Sequence, residues 1–272
     1  QALKSQVASM MVITNIGENS FDSELVHQIF IDENAKQNLL KNCLSIIQEK
    51  NYYGIDIDFE YIYPSDRELY NQFIETATSF FHNYGITVTT ALAPKLFENQ
   101  SGLLYEAHDY EFHGKTVDHI ILMTYESGYT YGPPMAVAPI NQIKRVLEYA
   151  VTVIPSQKIL MGIPNYGYDW TLPYEPGTKA RSLSNTEAVI LAQKYNATIE
   201  YDKVSQAPYF YYTDENDKAH VVWFEDARSI DAKLNLVSEY HLRGISYWNI
   251  NSFFSGNWLV VTDHFEIEKL IS

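Results

Sequence analysis

Three carboxylates, Asp56, Asp58 and Glu60, stand at alternate positions of the stretch YYGIDIDFEYIYP, residues 52–64. Side chains alternate between the faces of a strand. Gly54, Asp56, Asp58 and Glu60 are therefore expected on one face, and Ile55, Ile57, Phe59 and Tyr61 on the other, under helices. Successive carboxylates stand roughly 6.6–7 Å apart at Cα, from the rise of a strand. Burial disfavours the charged form and each charge disfavours the next, so at least one proton is expected to stay near neutral pH. A carboxyl that keeps its proton at the end of a strand can act as a general acid. Two other readings stand beside this one: hydrogen-bonded structural carboxylates, and an Asp-x-Asp-x-Glu site for Mg²⁺ or Ca²⁺. Against the metal, the sequence offers no companion His cluster and no phosphate-cradling Gly-rich loop.

The elements that must hold these residues follow from periodicity. Strands are expected at 8–17, 52–62, 86–94, 117–127, 157–166 and 244–250, with helices at 33–50, 66–85 and 139–154 between them. Strands alternating with helices of this length indicate a parallel sheet in an α/β fold. Residues 171–243 break the rhythm. A helix over 184–196 opens on Ser184, with Glu187 placed for a capping box. The runs TIEYDK, PYFYYTD and HVVWFED then alternate like antiparallel strands, and a helix follows over 229–244. DENDK, residues 214–218, reads as a solvated turn, because it lacks the glycine and terminal Glu of a calcium loop.

Bulk composition narrows the function. The chain has 272 residues, 46% hydrophobic and 19% charged, so a packed core is expected and disorder is not. Nineteen Lys and Arg against 34 Asp and Glu give a formal charge of −15. Such a surface repels phosphate backbones and anionic lipid heads, which disfavours nucleic-acid and membrane-surface roles. No apolar run approaches the ~20 residues needed to cross a bilayer. The single cysteine, Cys43, cannot form an intrachain disulfide, and in the helical LLKNCLSII it reads as a buried small hydrophobe. The 22 tyrosines, 13 phenylalanines and 4 tryptophans fit either an aromatic core or a groove of flat faces for sugar rings.

YGIDIDFE resembles the D-G-x-D-x-D-x-E motif of family 18 glycoside hydrolases, the chitinase-like TIM barrels, at Gly54, Asp56, Asp58 and Glu60. Tyr53 stands where that family has Asp. LMTYESG (122–128) is similar to the family's M-x-Y-D strand end, with Met123, Tyr125 and, in place of Asp, Glu126. GIPNYGYDW (162–170) resembles the G-x-x-x-Y-G segment, with Tyr166 in the sugar-facing place, and GISYWNIN carries Trp248 at the family's sugar-floor position. TNIG places Asn15 where a further substrate contact is expected. DFEY and Glu126 resemble, within the family, the spore cortex-lytic N-acetylglucosaminidase branch of spore-forming bacteria.

The resemblance implies a (β/α)8-type barrel over 1–170 with a small α+β insertion over 171–243 and a final strand and helix over 244–272, one catalytic domain overall. Only six parallel strands are counted. Two further βα units are therefore expected before Gln1, with QALKSQV as the tail of the preceding helix. It implies a retaining hydrolase of β-linked N-acetylglucosamine glycans, peptidoglycan of the spore cortex first among them, in which the substrate's own 2-acetamido group assists. Glu60 is the implied acid. Asp58 orients the acetamido group, Asp56 shares a proton with Asp58, and Tyr125 bonds the acetamido oxygen. Trp248, Tyr166, Glu126, Met123 and Asn15 are the implied substrate contacts. No metal and no cofactor is implied, nor a nucleic-acid partner or membrane insertion. The expected state is a monomer acting outside the cell, at the cell wall or spore coat and cortex. Chitin or N-glycan cores are the alternative substrates, and a non-catalytic glycan-binding protein is the alternative class.

Overall fold

The computed structural model describes residues 2–18, 20–267 and 269–270. The described residues divide into two compact units, one holding those up to 123 with 148–160 and 269–270, the other 124–147 with 161–267.

The first unit runs β1 (Met10–Thr14), α1 (Ser23–Ile31), α2 (Glu33–Lys50), β2 (Gly54–Asp58), α3 (Arg67–His82), β3 (Thr87–Leu92), α4 (Tyr110–Thr116) and β4 (His119–Leu122). Its strands pair in parallel and in chain order, β1 with β2, β2 with β3 and β3 with β4. α1 and α4 are additions to the expected elements. Ahead of β1, where a helix tail was expected, Leu3–Ser5 make a single 3-10 turn, closed by Gln6 in the left-handed region at φ 56°.

Local chemistry explains the helix limits. Asp32 caps α2 by accepting from the backbone N–H groups of Asn34 and Ala35, and Asn51 ends it at φ 52°. α3 buries Tyr70, Phe73, Ile74, Ala77 and Phe81, the i, i+3, i+4 stripe of a core-facing helix. Phe30, Phe59, Tyr70 and Phe73 pack ring to ring with centroids 5.4–6.4 Å apart. Here the aromatic richness is core. Cys43 lies in the same interior, 3% exposed.

The helix α5 (Ile140–Val153) and the strand β5 (Ile159–Pro164) each begin in one unit and end in the other. The second unit continues with β6 (Tyr166–Leu172), β7 (Arg181–Ser184), α6 (Asn185–Lys194), β8 (Glu200–Asp202), β9 (Ala207–Thr213), β10 (Ala219–Trp223), α7 (Ala227–Glu239), β11 (Gly244–Trp248) and α8 (Ser255–His264). β11 lies beside β5. β7, β6, β10, β9 and β8 form an antiparallel sheet in that order. GIPNYGYDW is thus two strands, and the antiparallel sheet begins at Tyr166. Gly167 is required there: a Cβ would stand 2.4 Å from the Trp223 carbonyl oxygen on β10. Ser184 and Glu187 form the capping box of α6, and Asp214 closes the 214–218 turn by accepting from the backbone N–H groups of Asn216 and Lys218.

Candidate active site

In the first unit the register sets Met10, Val12 and Thr14 of β1 beside Gly54, Asp56 and Asp58 of β2, and Thr87 and Thr89 of β3 beside Gly54 and Asp56. The carboxylates therefore share a face with three threonines, Thr14, Thr87 and Thr89. Gly54 is needed because a Cβ would lie 2.5 Å from the Thr87 carbonyl oxygen and 2.8 Å from the Met10 Cε. Asp56 is buried and accepts a 2.5 Å hydrogen bond from the Thr89 hydroxyl. Burial still holds its carboxyl above the usual range, against the pull of that bond. Asp58 is pushed up to about 6, by burial first and by the neighbouring Asp56 charge second. Its Oδ1 is buried without a hydrogen-bond partner. Tyr70 lies near enough for both carboxylates to add to the burial that raises its hydroxyl well above the ordinary value.

β2 ends at Asp58, two residues short of Glu60, and the expected alternation fails after Glu60. Tyr61 takes φ 54° and is 39% exposed, while Ile62 takes the buried place at 1%. The two-residue alternation stops because the β1–β2 ladder stops at the Thr14–Asp58 pair. Beyond that rung the side chain of Asn15 takes over. Its Oδ1 accepts from the Glu60 N–H at 2.9 Å, and its Nδ2 donates to the Glu60 carbonyl at 2.8 Å and to the Asp22 carbonyl at 3.2 Å. Asn15 is 1% exposed. Its amide is bonded to main chain, which places it behind Glu60 rather than among substrate contacts. Met123 is buried, with its N–H donating to the Leu92 carbonyl, a core position.

In the second unit Glu126 sits at φ 61° and is the focus of two tyrosines. Tyr166 donates a very short hydrogen bond to Glu126 Oε1, and Tyr168 donates to the same oxygen at 2.9 Å. Burial raises the Glu126 carboxyl, partly offset by these two bonds, and holds both tyrosine hydroxyls above their ordinary range. Tyr125 and Tyr166 pack at the edge of a core of Val137, Tyr168, Trp170, Ala180 and Val221. Trp248, at the end of β11, keeps 54% of its surface exposed. Asn165 and Trp170 are buried in packing roles: Asn165 donates to the Asn249 and Ser252 carbonyls, and Trp170 to that of Gly132.

Thr89 and Tyr168 were legible from alternation, since TVTT and YGY repeat the period of their neighbours. Tyr70 and Asn15 came together with the carboxylates only through the fold. Among the described residues no group of His, Cys, Asp and Glu has the arrangement of a metal site, and no helix is long and apolar enough to cross a membrane.

The profile of "Glycosyl hydrolases family 18" matches residues 1–252. The chain is 49% identical over 261 residues to the cortical fragment-lytic enzyme of Bacillus subtilis (strain 168), covering 96% of this chain and 61% of that one. The crystal structure of the Bacillus megaterium QM B1551 spore cortex-lytic enzyme SleL matches with a TM-score of 0.96 at 43% identity, covering 99% of this chain and 62% of that one. A chitinase from Chromobacterium violaceum ATCC 12472 matches with a TM-score of 0.90 at 26% identity, over 97% of this chain and 81% of that one. The chain thus spans about three fifths of the length of its cortex-lytic relatives. With the acidic strand motif in place on β2 and the match running almost from end to end, the chain belongs to glycoside hydrolase family 18.

Proposed function

We propose that the protein is a retaining N-acetylglucosaminidase of spore-cortex peptidoglycan that works by substrate assistance. The observation that carries this reading is the pair of buried Asp56 and half-buried Asp58, with Asp58 raised to about 6 and its buried Oδ1 lacking a protein partner. An acceptor left unsatisfied in a buried site is a place for a substrate N–H. Glu60 protonates the glycosidic oxygen. The substrate's acetamido oxygen then attacks the anomeric carbon to give an oxazolinium ion. Asp58 accepts from the acetamido N–H and balances the developing positive charge, while Asp56, bonded by the Thr89 hydroxyl, shares a proton with Asp58. Water, deprotonated by Glu60, opens the ring with net retention.

The roles of Tyr125 on the acetamido oxygen and of Trp248 beneath the sugar rest on the motif match alone. Substrate contact by the hydrogen-bonded pair Glu126 and Tyr166 rests on the motif match likewise. The parallel strands are read as barrel strands of the (β/α)8 type, and the antiparallel sheet as an insertion before the last of them. The proposed setting is the spore cortex or cell wall, as a monomer, because the relatives' names point to cortex and the acidic surface disfavours anionic partners.

Digestion of purified spore cortex, read by mass spectrometry, should release fragments with N-acetylglucosamine at the new reducing end. Glu60→Gln should abolish most of that release, by about 10²–10⁴-fold, while leaving binding to the glycan intact. Release of fragments ending in another sugar, or cleavage of a glycan lacking the 2-acetamido group at the parent rate, would refute the reading.

A further inference from the structure

The turn that carries Glu60 is held by side chains from three separate segments. His108 Nε2 donates to the Phe59 carbonyl at 3.0 Å, Asn15 bonds both the N–H and the carbonyl of Glu60, and Ser23 Oγ donates to the Tyr61 carbonyl at 2.5 Å. Three consecutive carbonyls, none of them within a strand or helix, each accept from a side chain 38 to 49 residues distant in sequence. Beneath them, the Phe59 ring is locked among Phe30, Tyr70 and Phe73.

The clamp also has a defined protonation state. His108 Nδ1 accepts from the Ala93 N–H at 2.8 Å, so the ring hydrogen sits on Nε2 and points at Phe59. Burial holds His108 down to about 4, so the ring stays neutral through the working range. The Asn15 amide can be oriented in only one way, because the Glu60 N–H requires an acceptor and its carbonyl a donor. The amide thereby supplies the next rung of the β1–β2 ladder, after the backbone rungs have ended at Thr14 and Asp58.

We propose that Asn15 is the positioning residue of the acid, with His108 and Ser23 completing the clamp: together they fix the main chain of Glu60 so that its carboxyl meets the leaving-group oxygen. This rests on the reading of Glu60 as the acid. A ladder would hold Glu60 equally well, but it would continue the alternation and keep the chain extended. The clamp lets the backbone turn at Tyr61 while the position of Glu60 stays set.

The test separates positioning from stability through the leaving group. Protonation matters greatly for a poor leaving group and little for a very acidic one, and kcat/KM reports the steps up to bond cleavage. Asn15→Ala, Ser23→Ala and Glu60→Gln are assayed on two aryl glycosides of N-acetylglucosamine, one with a weakly acidic phenol and one with a dinitrophenol. Asn15→Ala is expected to lower kcat/KM on the weakly acidic phenol by on the order of 10²-fold, while the dinitrophenyl substrate stays near the parent rate. Ser23→Ala, a change at a partly exposed residue that leaves the core intact, should show the same selectivity at smaller size. If Asn15→Ala folds poorly, Ser23→Ala and Asn15→Asp, which keeps the acceptor for the Glu60 N–H, carry the test. Equal loss on both substrates, or no loss on either, while Glu60→Gln remains selective, overturns the clamp and leaves the acid in place. Absence of selectivity in Glu60→Gln itself overturns the assignment of the acid.

Discussion

Asp58→Asn should make the protein more stable at neutral pH and nearly inactive. The Asp58 carboxyl is raised from 3.8 to about 6 in the folded chain, by burial first and by the Asp56 charge second. A shift of about two units corresponds to roughly 3 kcal/mol between the two protonation states. The folded pKa lies above the unfolded one, so the folded state holds this proton more tightly. The stability it contributes is fully present below about pH 4 and is lost as pH rises through about 6. Asparagine does not titrate and keeps the shape. The variant should therefore match the parent near pH 4 and exceed it by up to roughly 3 kcal/mol above pH 7. At about 2–4 °C per kcal/mol for a chain of this size, the melting temperature should rise by up to about 6–12 °C at pH 8. Circular dichroism melts of both proteins from pH 4 to pH 8 give the comparison. A gain of the same size at pH 4 and pH 8, or no gain at pH 8, would show that the Asp58 carboxyl is not raised on folding and would remove the main support for its place in the mechanism.

Two further outcomes concern the frame around the site. Gly54→Ala should cost about 1–3 kcal/mol in urea unfolding, because the new Cβ meets the Thr87 carbonyl oxygen at 2.5 Å. A neutral result would mean that β2 and β3 can part without penalty. In the second unit, Lys233 Nζ pairs with Glu225 Oε2 at 2.7 Å, and both side chains are fully buried. Lys233→Met should cost about 3–5 kcal/mol by leaving a buried charge unpaired, and Glu225→Gln added to it should recover part of that loss. Failure of the second change to recover stability would show that the lysine acts through packing.

The elements and much of the chemistry were legible because both depend on local alternation. The helix over 33–50, the Ser184 cap and the cores of the six parallel strands follow from apolar period and capping residues, which act over a few neighbours. Asp56 and Asp58 were legible for the same reason: a polar group at every second position of an apolar strand has only one face to occupy. The division of GIPNYGYDW between two sheets was not legible, because both halves are apolar strands and only long-range pairing tells them apart. What holds Glu60 was the clearest case. Alternation named the residue, but a ladder continues only while its partner strand does, and the β1–β2 ladder ends at Thr14 and Asp58. Asn15, Ser23 and His108 hold the main chain around Glu60, and their separations of 38 to 49 residues leave no trace in any local pattern. A hydrogen bond between distant segments exists only once the chain has closed those loops, so residue type and spacing named the groups on β2, while tertiary structure alone decided what holds Glu60 beyond its end.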